Sequence, residues 1–283
     1  MLRLRVRGRS RRALAVRGLA ELSSWLGRLT SLEIAVRTAG GVLRFRCTNG
    51  LLARRACTLY TKEPGTIAWL DESLGPDDAF LDIGANAGTY ALYAARKLGP
   101  AGHVSAVEPH LPSAVALMRN VTANGLDDRV TVLTCALAER RRPARFDYVS
   151  LRTGSSRHQL CAGDAVSGPR PASVGRPSEL KLAESVDALV AAGAVRPPQV
   201  VKVDVDGIEP AILCGMRATL TRPDRPRTVQ VECAPHNAAA IEAILGECGY
   251  ALQARHATMA GRKRLAQGAD IAGIVHNAVF VPA

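Results

Sequence analysis

Residues 80–99 read FLDIGANAGTYALYAARKLG. The stretch begins with a short apolar run, passes through a turn that contains Gly84 and Gly88, and continues as a predicted helix. In open parallel sheets, ligands bind beyond the carboxyl end of a strand, at a turn that leads into a helix. We therefore expect an α/β fold with a ligand-binding turn at residues 82–88.

Short apolar runs and helical segments alternate over most of the remaining chain, which is typical of βαβ units around a parallel sheet. The last two apolar runs are only about eighteen residues apart and have no evident crossover helix between them. We therefore expect one of these two strands to run antiparallel. The pattern predicts seven strands, at residues 79–83, 103–107, 130–134, 200–205, 228–231, 250–255 and 274–281, and four helices, at residues 88–97, 111–123, 209–220 and 237–247.

The residues before the sheet predict an accessory N-terminal part. Residues 20–29 have helical spacing, and residues 34–47 alternate around a Gly-Gly pair like a β-hairpin. Residues 139–186 interrupt the later alternation, and an insert of this length is either a cover over the substrate or a surface excursion. We divide the chain into a basic arm (1–20), an accessory helix and hairpin (21–62) and a main domain (63–283) that begins with a helix at 63–73.

The composition is that of a globular protein. Of the 283 residues, 47% are hydrophobic and 22% are charged. No apolar run approaches the roughly 18 residues of a membrane span, and a signal-peptide pattern is absent, so a cytoplasmic location without a membrane partner is the default expectation. The seven cysteines form neither a CxxC pair nor a Cys/His cluster, which argues against a disulfide framework and a zinc site.

The positive charge of the chain is concentrated at its start. The formal net charge is +12, and residues 1–20 hold seven arginines and no acidic residue, so +5 is left for the remaining chain. An arm of this kind could bind phosphates, but a solvated terminal segment is the more common explanation. The net charge by itself therefore does not predict a nucleic-acid partner.

The turn at residues 82–88 has the features of a site for S-adenosylmethionine. Gly84 allows a tight exit from the strand, and Gly88 lets the next helix approach a ligand closely. The unpaired amides at the start of that helix suit the methionine carboxylate, and Asp82 suits the ammonium or sulfonium end. Glu108, at the end of the next predicted strand, can accept hydrogen bonds from two ribose hydroxyls.

A dinucleotide is the main alternative ligand, because nicotinamide enzymes also use an acid at the position of Glu108. Their GxGxxG fingerprint, however, has a glycine where this chain has Asn86. We therefore favour S-adenosylmethionine, with Asn86 in the binding turn. Ala136 follows the third core strand, where we expect the adenine.

The motif VVKVDVDGIEP at residues 200–210 indicates where a reaction would take place. Strand alternation puts Lys202 and Asp204 on one face and Val201, Val203 and Val205 on the other. Charges on a central strand are costly to bury unless they are paired. We therefore expect a buried Lys202–Asp204 pair near the strand end, beside the cofactor.

Several segments together resemble the FkbM family of methyltransferases. They are TKEPGTIAWL (61–70), FLDIGANAGTYALYAARKLG (80–99), VEPH (107–110), TGSS (153–156), VVKVDVDGIEPAILCGM (200–216) and VQVE (229–232). The KxDxDGxE element is much more specific than the glycine turn, which related methyltransferases share. The resemblance implies the Rossmann-like class I methyltransferase fold, which the expected mostly parallel, doubly wound sheet matches, and methylation of hydroxyl oxygens. It does not imply a particular substrate.

An aliphatic hydroxyl is a poor nucleophile until its proton has a destination, so we expect a base beside the cofactor. Asp204, Glu232 and His236 follow or end predicted strands and are the candidate bases, and Lys202 is a further candidate catalytic residue as the expected partner of Asp204. Alternatively, Asp204, Asp206 and Glu232 could bind Mg²⁺, which prefers oxygen ligands and would lower the pKa of the hydroxyl. The sequence leaves both alternatives open.

The expected partner is a small-molecule hydroxyl acceptor, such as a sugar or a secondary metabolite. The basic arm favours two alternatives, an RNA-directed methyltransferase and a non-catalytic RNA-binding or anion-binding protein. The chain lacks both a [DN]PP[FY] element for exocyclic amines and a Pro-Cys nucleophile for pyrimidine carbon. Nucleic acid is therefore the less favoured partner, and the sequence predicts no oligomeric state.

Overall fold

A computed structural model of the chain describes residues 31–161 and 176–283. The basic arm and the helix predicted at residues 20–29 lie outside the described residues. Within those residues, no helix is both long and apolar enough to cross a bilayer.

The first described elements form the accessory part. In chain order they are β1 (Leu32–Thr38), β2 (Gly41–Cys47), α1 (Gly50–Cys57), α2 (Leu59–Lys62) and α3 (Pro64–Ser73). The strands β1 and β2 pair antiparallel as the expected hairpin. The helices α1 and α2 were not expected from the sequence, because their combined length is too short for a clear apolar period.

The central sheet of the described residues contains the seven expected strands, β3 (Ala79–Ile83), β4 (His103–Val107), β5 (Val130–Leu133), β10 (Val200–Val203), β11 (Thr228–Cys233), β12 (Tyr250–Ala257) and β13 (His276–Pro282). Their spatial order is β12-β13-β11-β10-β3-β4-β5. The strand β13 is antiparallel to both of its neighbours, and the other pairs are parallel. The predicted Rossmann-like class I methyltransferase fold, with its one antiparallel strand, is confirmed.

The direction in which the sheet grows reverses between β3 and β10. The chain passes from β3 outward through β4 to β5 and later returns to place β10 and β11 on the other side of β3. Ligands bind in the crevice at such a switch point, beyond the carboxyl ends of the strands. The register puts Asp82 of β3 opposite Lys202 of β10, so two predicted site residues lie at this crevice.

Strand alternation divides the core into two apolar layers. Phe80 and Val200 belong to one layer, and Leu81 and Val203 belong to the other. Helices cover both faces of the sheet, and those after α3 are α4 (Thr89–Lys97), α5 (Leu111–Ala123), α6 (Val186–Ala191), α7 (Glu209–Cys214), α8 (Arg217–Thr221), α9 (Ala238–Glu247) and α10 (Met259–Leu265).

The helix predicted at residues 209–220 is two helices, α7 and α8, with a break at Gly215 and Met216. A Cβ atom on Gly215 would lie 2.3 Å from the carbonyl oxygen of Ala138. The backbone at the break therefore packs directly against another segment, and this close contact explains the interruption.

The described part of the insert predicted at residues 139–186 contributes to a second, smaller sheet. Its strands are β6 (Ala136–Leu137), β7 (Arg142–Asp147), β8 (Gln159–Leu160) and β9 (Ser178–Glu184), and their order is β6-β9-β7-β8. Residues 148–158, between β7 and β8, reach the glycine turn of the main sheet through the hydrogen bonds described below.

Candidate functional site

The glycine turn requires a left-handed backbone at three positions. Gly84, Asn86 and Gly88 have φ values of 83°, 51° and 88°. A Cβ atom on Gly84 would lie 1.8 Å from the carbonyl oxygen of Asp204, so this glycine lets the turn approach the end of β10. A Cβ atom on Gly88 would lie 2.3 Å from Leu117 of α5, so this glycine lets α5 pack closely against the turn.

Asp82 is a fully buried carboxylate at the switch point. Neither of its oxygens has a hydrogen-bond partner among the described residues, although the amide of Ala91 faces it without reaching hydrogen-bond geometry. The Lys202 Nζ atom lies 3.8 Å from Oδ1. Burial raises the pKa of Asp82 to about 6, against the opposing effect of Lys202. A buried carboxylate with so few partners suits a cationic ligand group.

Lys202 and Asp204 form the pair that the sequence predicts. Nζ of Lys202 donates to Oδ2 of Asp204 at 2.9 Å, and the lysine side chain is only 2% exposed. Burial alone would raise the pKa of Asp204, but Lys202, with smaller contributions from Lys62 and Arg55, lowers it overall. The same contact keeps the lysine charged despite its burial. The site therefore contains an ionised carboxylate in a fixed position.

Glu232 lies half-buried near the end of β11. The negative charge of Asp204 raises its pKa most, followed by burial and by Asp206, and the resulting pKa is about 9. Glu232 therefore holds its proton to a higher pH than Asp204 does. Two carboxyls whose pKa values are separated in this way can act as a hydrogen-bond donor and an acceptor.

A polar network under Lys202 was not foreseen from the sequence. Glu63 is 3% exposed, pairs with Lys62 and accepts a hydrogen bond from the hydroxyl of Tyr90 at 3.0 Å. The ring of Tyr90 lies 5.2 Å from Nζ of Lys202. Glu63 lies in the segment at residues 61–70 that resembles the family, but an acid just before Pro64 also looks like an ordinary helix start, so it was not predicted as a site residue.

Glu108 lies just beyond β4 and is buried. Its two oxygens accept the backbone amides of Asn86 and His110, each at 2.7 Å. Burial raises the pKa of Glu108 to about 7, although both amides favour the ionised form. Each carboxylate oxygen has a second lone pair, so these contacts leave capacity for hydroxyl donors. Ala136, expected near the adenine, is buried in β6.

The segment at residues 150–158 contacts the glycine turn and α1. Asn86 Nδ2 donates to the carbonyl of Ser155, and Asn49 Nδ2 donates to the carbonyl of Thr153. Arg55 donates to the carbonyl of Gly154 through Nε and Nη2. Helix α1 and the loop between β7 and β8 therefore meet at the predicted cofactor turn.

The predicted metal ligands are not arranged as a metal site. Asp206 is exposed and accepts the backbone amide of Arg157, while Asp204 is bound by Lys202. Among the residues that the structure describes, no group of three or more His, Cys, Asp and Glu side chains could hold a metal ion. The alternative with Mg²⁺ therefore has no support from the described geometry.

His236 lies exposed in the turn between β11 and α9. It is not among the residues that line the cleft over the glycine turn. The cleft is lined by residues of α1, α2, the turn, α4 and the end of β10, namely Arg55, Thr58, Leu59, Lys62, Gly84, Ala85, Asn86, Thr89, Tyr90, Lys202 and Asp204. Its lining includes four of the predicted site residues, and Arg55 and Lys62 are additions that the sequence did not predict.

The sequence model described as the Methyltransferase FkbM domain matches residues 82–252. The chain belongs to the FkbM methyltransferase family. The family's methyl donor, S-adenosylmethionine, fits the residues of this site. They are the glycine turn, the buried Glu108, and Asp82, whose oxygens have no hydrogen-bond partner among the described residues. The match contains the glycine turn and the KxDxDGxE motif, and it confirms the resemblance seen in the sequence. No curated protein sequence matches this chain significantly.

Solved structures similar to this FkbM family member share little sequence with it. A methyltransferase FkbM from Methylobacillus flagellatus KT is 15% identical, with 95% of this chain and 60% of that chain covered and a TM-score of 0.45. A precorrin-6y C5,15-methyltransferase from Geobacter metallireducens GS-15 is 13% identical, with coverages of 80% and 90% and a TM-score of 0.46. A putative O-methyltransferase from Klebsiella pneumoniae is 12% identical, with coverages of 83% and 91% and a TM-score of 0.44.

Proposed function

We propose that this protein transfers a methyl group from S-adenosylmethionine to a hydroxyl oxygen of a small molecule, such as a sugar or a secondary metabolite. The observation that carries the proposal is the Lys202–Asp204 pair at 2.9 Å, which fixes an ionised carboxylate beside the glycine turn. The bound cofactor supplies an activated methyl group. The remaining requirement for O-methylation is a group that accepts the hydroxyl proton.

Asp204 suits this requirement because one oxygen is occupied and the other is not. Oδ2 accepts from Lys202, whereas Oδ1 has no hydrogen-bond partner among the described residues. A hydroxyl that donates to Oδ1 would be oriented and would lose its proton to Asp204. The low pKa of Asp204 makes it a weak base, so we expect most of the rate to come from orientation in a cleft that excludes water.

Glu232 and His236 have different places in this proposal. Glu232, which holds its proton to a higher pH than Asp204, can donate a hydrogen bond to the acceptor while Asp204 receives one. His236 is exposed and remains a second candidate base. The variant His236→Gln tests this alternative, because it should lower the transfer rate only if the histidine is the base.

The cofactor half of the proposal is tested by Asp82→Asn, which keeps the size of the side chain. Loss of a charge-assisted hydrogen bond is expected to weaken S-adenosylmethionine binding by about tenfold or more, measured by calorimetry. Asp127→Asn, an exposed change far from the turn in sequence, is the control. Unchanged affinity in folded Asp82→Asn would exclude a role for this carboxylate.

The reaction half is tested by Asp204→Asn with methyl-labelled S-adenosylmethionine and three sets of acceptors: free sugars, hydroxylated macrolides and total RNA. We expect label in a methyl ether of a small molecule. The variant should bind the cofactor as the wild type does, and its turnover should fall by about a hundredfold or more. Transfer to RNA or to an amine, or normal turnover by the variant, would contradict the proposal.

A further inference from the structure

The cleft over the glycine turn contains two cations from outside the family match. Arg55 of α1 and Lys62 of α2 line it, and both precede residue 82, where the match begins. Lys62 is already paired with the buried Glu63. Arg55 has no salt-bridge partner within the described part of the chain, so its positive charge is available to a ligand.

The hydrogen bonds of Arg55 hold its side chain in place but do not use all of its donors. Nε and Nη2 donate to the carbonyl oxygen of Gly154 at 3.0 and 2.8 Å. A guanidinium has five N–H donors in a planar fork, and Nη1 has no acceptor among residues 31–161 and 176–283. A neutral carbonyl also leaves the charge uncompensated. The arginine is therefore ordered and can still bind an anion.

The field of Arg55 reaches both carboxylates that border the predicted cofactor site. Burial raises the pKa of Glu108 and opposes the low pKa of Asp204, and in both cases the charge of Arg55 acts in the lowering direction. Glu108 lies on the expected ribose side and Asp204 on the reacting side. Arg55 also lines the same cleft as Thr89 and Tyr90 at the start of α4.

We propose that Arg55 binds the carboxylate of the methionine part of S-adenosylmethionine, together with the first-turn amides of α4. The helix follows Gly88, which has no side chain to cap it, so the amides of Thr89 and Tyr90 are available to an anion, whereas the amide of Ala91 faces Asp82. Asp82 then suits the ammonium of the same amino-acid group. The inference rests on the proposed function, because it adds one residue to the same cofactor site.

The test compares two ligands that differ in this carboxylate. S-adenosylmethionine has it, and decarboxylated S-adenosylmethionine does not. Affinities for the full chain are measured by calorimetry, in competition with S-adenosylhomocysteine where binding is weak. The variants are Arg55→Ala and Arg55→Lys, and Arg54→Ala is the matched control because Arg54 is exposed on the same helix.

Arg55→Ala should weaken S-adenosylmethionine by about tenfold to a hundredfold and change decarboxylated S-adenosylmethionine by less than about threefold. Arg55→Lys should recover part of the loss, since it keeps the charge without the fork. Arg54→Ala should change neither affinity. The inference would be supported if the wild type binds S-adenosylmethionine more tightly than its decarboxylated form and the Arg55→Ala variant binds the two with similar affinity.

Three outcomes would overturn it. An equal loss for both ligands would mean that Arg55 only holds Gly154 and the loop. Unchanged cofactor affinity with a raised KM for an acceptor would mean that Arg55 binds an anionic group of the acceptor. A wild type that binds neither ligand would refute the proposed function along with the inference, which distinguishes the two failures.

Discussion

Glu108 is a buried acid whose protonation should control cofactor binding. Burial raises its pKa to about 7, so at pH 6 most of the carboxyl is protonated and cannot accept two hydroxyl donors. Affinity for S-adenosylmethionine should therefore rise with pH up to about 7, by at most about tenfold per pH unit, and then level off. Calorimetry from pH 5.5 to 8.5 would measure this dependence.

The raised pKa of Glu108 has the opposite effect on stability, which falls as the pH rises. The folded protein binds a proton at Glu108 that the unfolded chain releases near pH 4.5, so this residue contributes stability at low pH that is lost as the pH rises to about 7. Glu108→Gln should remove the contribution of this residue to both dependences, whereas the raised pKa of Glu232 should still lower stability as the pH rises. The part of the binding profile near pH 6 should remain, because it belongs to Asp82. A profile identical to that of the wild type would contradict the assignment.

The sequence predicted the candidate site residues whose positions follow from a strand pattern and missed those whose positions follow from packing. Lys202 and Asp204 were predictable because charges on one face of a buried strand must be paired. Arg55 and Glu63 were not, because they lie near or at helix starts and ends where charged residues are common. Their role depends on how α1 and α2 lie over the turn, and no local pattern contains that information.

Helix α1 connects the accessory part to the loop over the glycine turn. Asn49 caps the helix by accepting the amides of Leu51 and Leu52, and its Nδ2 donates to the carbonyl of Thr153. Asn49→Ala should lower the free energy of unfolding by about 1 kcal/mol through the lost cap, measured by denaturant unfolding. It should also increase hydrogen exchange at residues 153–156 and weaken cofactor binding.

Ser185→Ala is the matched control for this effect. Ser185 caps α6 by accepting the amide of Ala188, so its removal should cost a similar free energy. It makes no contact with the loop in the described hydrogen bonds, so exchange at residues 153–156 should not change. Faster exchange in both variants would mean that the loop responds only to global stability.

The central elements followed from the sequence, whereas the second sheet did not. The strands β3 and β4 and the helix α5 have the predicted bounds because their apolar runs are bounded by turn residues. The strands β6 and β8 have two residues each, which is too short for a period to be recognised. They exist because β7 and β9 pair over a long separation in sequence, which a local pattern does not reveal.

The most basic segment of the chain is separate in sequence from the residues that line the cleft. Residues 1–20 carry seven of the positive charges, whereas the cleft lies between residues 55 and 204. A chain without residues 1–20 should therefore bind S-adenosylmethionine within about twofold of the full chain and methylate a small hydroxyl acceptor at the same rate. Calorimetry and transfer of labelled methyl groups would measure both.

RNA binding, unlike cofactor binding, should weaken when residues 1–20 are removed. Each phosphate contact adds about −0.7 to the slope of log K against log salt for single strands, so up to seven arginine contacts would give a slope of about −5. The truncated chain should lose most of this slope. If truncation abolished methyl transfer and only RNA accepted the methyl group, the arm would be part of the substrate site. The small-molecule assignment would then be wrong, although the cofactor site would stand.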